Sequence, residues 1–204
     1  MKQQMKQHID LPACGLKIQL PRILRETRWT EEGLARTASG LLVPAYFASQ
    51  FGFSHHLREN YLEASVYRRF GEQAGVLALC PFRACGEFIS QPELHPHRQE
   101  IIEEINYGAL MPLSKFMVVL HDGGHASDDG ASGELGWYAA KEQKPVIGIR
   151  SDCRRAEDGD TAVNRALHYF YKQHPDSRLF EGPDAMDRGI AYAKTLVEKI
   201  RSAA

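Results

Sequence analysis

The chain has 204 residues, a formal net charge of −1, 43% hydrophobic and 25% charged residues. That length and balance predict one soluble folded domain with a sizeable core, and exclude the basic footprint of a nucleic-acid binder and any long block of like charge. No segment reaches the apolar span of about eighteen residues that a membrane helix needs. The four cysteines (Cys14, Cys80, Cys85 and Cys153) form no CxxC pair, so reduced thiols in a cytoplasmic protein are expected.

Residues 1–40 show little periodicity and read as an N-terminal extension without a legible structure; Thr30 is a candidate N-cap for a short helix. From Leu41 the pattern sharpens. LLVPAYFA (41–48) predicts a buried strand, with Pro44 near its start or at a bulge. Leu57, Tyr61, Leu62, Val66 and Phe70 recur at helical spacing, so 55–74 is an amphipathic helix ended by Gly75. VLALCPF (76–82) predicts the second strand, followed by a long polar loop with His95-Pro96-His97. Ile101, Ile105 and Ala109 mark a helix before the strand at 116–120. A helix at 132–142, a strand at 145–150 and a helix at 161–173 come next. After Pro183, Met186, Ile190, Ala193, Val197 and Ile200 share one face of a last helix. Strands and helices alternate from 41 to 204, which predicts an α/β fold: an open parallel five-stranded sheet, flavodoxin-like or Rossmann-like, with helices on both faces.

The densest chemistry lies between Phe116 and Arg150. An apolar strand runs into an acidic, Gly-rich loop with Asp122, Asp128 and Asp129, and a helix opens with Glu134 near its first turn. Three to four carboxylates thus converge at the sheet edge where open α/β folds place ligands. Such crowding suits a cation, or a carboxylate nucleophile beside a general acid. His121-x-x-x-His125 is a poor metal motif, because Gly123-Gly124 makes the segment a loop and the rings lose helical spacing. A phosphate-loop reading of the glycines fails as well: GxxxxGK[ST] is absent and the acids would repel phosphate.

Several segments, in this order, resemble the nucleoside 2-deoxyribosyltransferase family. AYFASQFGF (45–53) is similar to the family's opening strand, and DDGASGELG (128–136) matches its D-x-G-x-x-x-E-L-G. KPVIGIRSDCRR (144–155) resembles the following strand, and Asn164 in VNRAL stands where the family has an Asn at a helix start. The resemblance covers about residues 42–180. The chain departs from the pattern in its first forty residues or so. It also departs in having Ser114 and Lys115 where an acid is usual, and Thr-Ala-Val-Asn in place of Pro-Leu-Asn-Met.

The resemblance implies a catalytic domain over 41–204 that transfers 2-deoxyribosyl groups between nucleobases, without metal or organic cofactor. Glu134 would be the nucleophile, Asp128 the group that delivers a proton to the base and contacts the sugar, Asp122 a further active-site acid, and Tyr46 the orienting donor to Glu134. Phe51 would stack on the base, Gly130 would approach the substrate, and Asn164 would bind the sugar 5′-hydroxyl, often from a neighbouring subunit. An Asn there, rather than Ser, implies an unphosphorylated nucleoside. The implied partners are a deoxynucleoside, a free nucleobase and further copies of the chain, with no nucleic acid or membrane. The rival readings are a nucleoside or nucleotide N-glycosidase, with water as acceptor, and a non-catalytic nucleotide-sensing module on the same fold.

Overall fold

Seven consecutive residues, Val43–Ser49, are buried, as expected of a parallel strand covered on both faces. This strand, β3, is the axis of the fold. In the computed structural model, which describes residues 8–11, 16–19, 36, 40–122, 129–151 and 165–203, it pairs in parallel with β4 (Val76–Leu79) on one side and β5 (Phe116–Leu120) on the other. Strands β6 (Val146–Arg150) and β7 (Arg178–Glu181) extend the sheet beyond β5, giving the order β4-β3-β5-β6-β7, all parallel. This is the flavodoxin-like, Rossmann-like arrangement. Its strand order reverses between β3 and β5, so a crevice opens beyond the carboxyl ends of those two strands.

Side chains of β3 alternate between two cores. Val43, Ala45 and Phe47 face a layer made by helix α1 (55–74) and the last helix, Ala185–Ser202, called α6. Tyr46 and Ala48 face the other layer. That layer holds α2 (Pro81–Ile89), α3 (98–113), α4 (129–142) and α5 (Arg165–Tyr171). Helix α1 ends where Gly75 takes φ +68° and its N–H returns to the Gly71 carbonyl at 3.1 Å, a left-handed cap that glycine adopts without steric cost. Wide, i→i+5 turns interrupt three helices, at Arg58–Tyr67, Asn106–Leu110 and Tyr138–Glu142.

Two sequence expectations are corrected. The second strand stops at Leu79; Cys80 to Phe82, read as its end, instead start α2, where Pro81 at the first helical position costs no hydrogen bond. The polar loop after it contains that helix and a 3₁₀ turn, Pro92–His97, in which His95 is exposed. Within the N-terminal extension β1 (His8–Leu11) and β2 (Leu16–Gln19) pair antiparallel. Strand β7 has no counterpart in the pattern read from sequence, and Thr30 lies outside the described residues.

Helix α2 is tied to α1 by Arg83, whose guanidinium reaches Glu63 through Nε and Nη2 and Glu59 through Nη2 at 3.1 Å. Glu63 is the main cause of the upward shift in the Arg83 pKa. No helix among the described residues is long and apolar enough to cross a membrane.

Gly148 in β6 is a close-packing position. A Cβ there would meet the Tyr171 hydroxyl at 2.3 Å and Leu179 Cδ1 at 2.7 Å. Gly148→Ala is therefore expected to destabilise the fold by about 1–3 kcal/mol through overpacking. A urea-denaturation series on the two proteins checks this, and an unchanged midpoint would contradict the packing described.

Candidate active site

Beyond the carboxyl end of β3, between α2, α3 and α4, lies a cavity of about 670 Å³. Ser49 and Gly52 form its sheet side, and Pro81, Phe82, Cys85 and Ile89 form the α2 wall. Helix α3 contributes Arg98, Ile102, Asn106 and Tyr107; α4 contributes Gly130, Ala131 and Glu134. A concave, mostly apolar site with a few converging polar groups is what a small-molecule ligand requires.

Glu134 is the centre of those polar groups. The Tyr46 hydroxyl donates to its Oε1 at 2.7 Å, and the Asn106 amide nitrogen approaches the same oxygen at 3.4 Å. Tyr46 is fully buried in the middle of β3, not at the strand's end. Burial first, then the Glu134 charge and hydrogen bond, push its phenol well above the usual value, so it remains a donor. Asn106 is oriented from its other side: the Cys85 thiol donates to its Oδ1 at 3.6 Å. Burial, with smaller contributions from Cys80 and Glu134, pushes that thiol up to about 12, which keeps the sulfur protonated. Tyr107 packs on Trp137 with ring centroids 4.9 Å apart; its phenol is also raised, by burial and then by Glu134.

Glu134 is not in the first helical turn. The described part of α4 begins at Asp129, five residues earlier, beyond the reach of the end-of-helix dipole. Side-chain donors, not free helix N–H groups, hold its carboxylate.

The other expected residues divide into three groups. Gly130, at the start of α4, lines the cavity. Asp122 and Phe51 line no part of it. Asp122 is buried, and its carboxylate accepts from the Ser151 backbone N–H at 2.6 Å and the Ser151 hydroxyl at 2.7 Å. Its carbonyl accepts from Gln50 Nε2 at 2.6 Å, so it fastens together the ends of β3, β5 and β6. Phe51 packs edge-on against Tyr61 of α1 at 5.2 Å, and after burial the Asp122 charge is the next cause of the raised Tyr61 phenol. Asp122, Phe51 and Tyr61 thus gather on the α1 side of the sheet edge. Asp128 and Asn164 lie outside the described residues, as does His125. Ser114, which stands in place of an expected acid, is buried and bonded to Tyr138 and the Met111 carbonyl.

His121 alternates back to the cavity's face, where its Nε2 lies 2.6 Å from the Tyr171 hydroxyl. The buried Arg150 donates to its carbonyl at 2.8 Å. Among the described residues no cluster of three His, Cys, Asp or Glu side chains could hold a metal ion. Sequence reading missed Asn106, Cys85, Phe82 and Arg58. The spacing of Pro81, Ala84, Cys85 and Phe88 was the available signal for α2, and Asn106 extends the stripe of Arg98 and Ile102 by one more turn.

No protein-family model matches the chain, and no curated protein matches it.

Two outcomes follow from this geometry. Tyr46→Phe removes the shorter of the two contacts to Glu134 Oε1 without changing the packed ring, and is expected to lower any turnover that depends on Glu134 by about ten- to a hundredfold. Unchanged turnover would show that Tyr46 serves packing alone.

Burial, followed by Arg150 and His168, lowers the His121 pKa from 6.5 to about 3. The unfolded chain takes up a proton near pH 6.5 that the folded one refuses until far lower pH. The stability due to neutral His121 is therefore complete above 6.5 and declines on acidification, by at most about 1.4 kcal/mol per pH unit. His121→Gln should flatten the dependence of the urea midpoint between pH 6.5 and about 5, a range above most carboxylate titration. Parallel profiles for the two proteins would refute this.

Proposed function

We propose that the protein cleaves the N-glycosidic bond of 2-deoxynucleosides and passes the deoxyribosyl group to a second nucleobase. The observation that carries this reading is the Glu134 carboxylate, held by Tyr46 and Asn106 at the wall of an apolar cavity large enough for a nucleoside. The resemblance of 128–136 to the deoxyribosyltransferase motif adds to it.

In this mechanism a Glu134 oxygen attacks C1′ as the C1′–N bond breaks, and the bond's electron pair leaves with the base, which takes up a proton. Positive charge developing at C1′ is stabilised by the carboxylate. A nitrogen of the incoming base then attacks C1′ from the vacated face. The C1′–O bond breaks, the carboxylate is restored, and two inversions give overall retention. The resemblance assigns proton delivery to Asp128. Tyr46 and Asn106 keep the reacting carboxylate in one orientation, which lowers the entropic part of the barrier. Phe82 and Tyr107 offer aromatic faces for the base at the cavity wall, a role the sequence had given to Phe51.

On the same reading the enzyme is a cytoplasmic homo-oligomer, with Asn164 completing a neighbour's sugar site. The free thiols of Cys80 and Cys85 suit a reducing compartment. On α5, Leu167 and Tyr171 are buried while Tyr169 is 62% exposed, leaving an aromatic side chain available to a partner.

Incubation with deoxynucleosides, with and without a free acceptor base, followed by chromatography, tests the reaction. Base exchange is the expected result; free deoxyribose would make the protein a hydrolase, and no change would reject both. Glu134→Gln should lower either activity by a factor of about 10³ or more. Wild-type protein quenched with a slow 2-fluoro-substituted substrate should carry the sugar on the Glu134 peptide by mass spectrometry. A fully active Glu134→Gln protein would remove Glu134 from the nucleophile role.

A further inference from the structure

The cavity contains two cations that the proposed chemistry leaves unused. Arg58, in the wide turn that opens α1, and Arg98, at the start of α3, both line it. Arg58 is partly buried. Its Nη1 approaches the Gly52 carbonyl at 3.4 Å, while its buried Nε has no hydrogen-bond partner among the described residues. As a residue that lines the cavity, Arg58 puts a fixed positive charge at its wall, where an acceptor group on an anionic ligand would be favoured. Arg98 is exposed; it donates through Nε to the Ile89 carbonyl at 3.3 Å, and its Nη2 lies 2.8 Å from His95 Nε2.

The spacing of α3 sets where that acceptor would sit. Arg98, Ile102 and Asn106 recur every four residues along one cavity-facing stripe. At 1.5 Å per residue, Arg98 and Asn106 are about 12 Å apart along the helix. Asn106 marks the Glu134 end, so positive charge stands roughly one nucleoside length away, across the apolar surfaces of Ile102, Ile89 and Phe82.

We infer that the cavity's ligand is an N-glycoside bearing an oxyanion, a phosphate or carboxylate, which Arg58 and Arg98 bind while Glu134 faces the sugar carbon. This rests on the glycosidic reading of Glu134. It runs against the unphosphorylated substrate implied by Asn164.

Calorimetric titration and product chromatography, run on the same protein, separate the two ideas. The ligands are a deoxynucleoside, its 5′-monophosphate, a deoxynucleoside with a carboxylate on the base, and inorganic phosphate alone. One of the two anionic glycosides should bind about tenfold or more tightly than the neutral parent, and which of them does so identifies the oxyanion. Inorganic phosphate should compete with that glycoside only if the oxyanion is the phosphate. Arg58→Gln should erase the ratio and Arg58→Lys should keep part of it. Arg98→Gln, at an exposed position, should shrink the ratio even if Arg58→Gln fails to fold. Equal affinity for neutral and anionic glycosides, absence of binding by all of them, or a ratio indifferent to both arginines overturns the inference. Arginine-dependent binding with no bond cleaved would reject the glycosidic chemistry and leave the oxyanion site standing. Cleavage of neutral and anionic substrates at equal rates, with equal affinities, would do the reverse.

Discussion

The hydrogen bond from the Tyr46 hydroxyl to Glu134 joins the central strand to α4, and much of the site depends on it. Strand alternation sends Tyr46 into the layer containing α2, α3 and α4, where its ring is fully buried. A phenol in that position must find an acceptor or cost the fold about 1–3 kcal/mol. Glu134 is that acceptor. The carboxylate is consequently held by a residue of the hydrophobic core, and its orientation is set before any ligand arrives. Asn106 adds a second support of similar origin, since its amide can face Glu134 with nitrogen only while Cys85 addresses its oxygen.

The same alternation divides the acids that cluster in the sequence. Successive residues of β5 point to opposite layers, and the pattern continues just past the strand. His121 joins Tyr171 on the cavity's side of the sheet, and Asp122 influences Tyr61 on the α1 side. Sequence proximity places Asp122 and Glu134 in one acidic segment, but in space Asp122 is engaged by Ser151 and holds three strand ends in register. Carboxylates that crowd along the chain can therefore serve different parts of the molecule, one at a cavity wall and one in the frame that supports it.

Elements with a strong single period were legible in advance. Phe116–Leu120 is a continuous apolar run, and Met186, Ile190, Ala193 and Val197 lie on one helical face; both segments take the conformation their pattern predicts. Helix α2 was hidden because Cys80-Pro81-Phe82 continues the apolar run of β4, and hydrophobicity alone does not separate a strand from the helix that follows it. Strand β7 was hidden for the opposite reason: Arg178–Glu181 is an edge strand with partly exposed side chains, so its pairing with β6 rather than its composition defines it. At the site, Tyr46, Gly130 and Glu134 were selected by motif. Asn106, Cys85 and Arg58 come from three other helices, and only tertiary packing brings them to the cavity. Short motifs record what one segment contributes; partners supplied by distant segments leave no local mark.

Arg201, near the end of α6, donates to the carbonyl of Leu41, just before β3, and lies over Gly75 at the cap of α1. The polypeptide thus enters the sheet at one pole and α6 returns it there, while the cavity occupies the other. Handles placed around residues 201–203 would project from the far end of the barrel-less sheet. A protein tethered there to a surface or bead would hold the cavity end of the sheet away from the point of attachment.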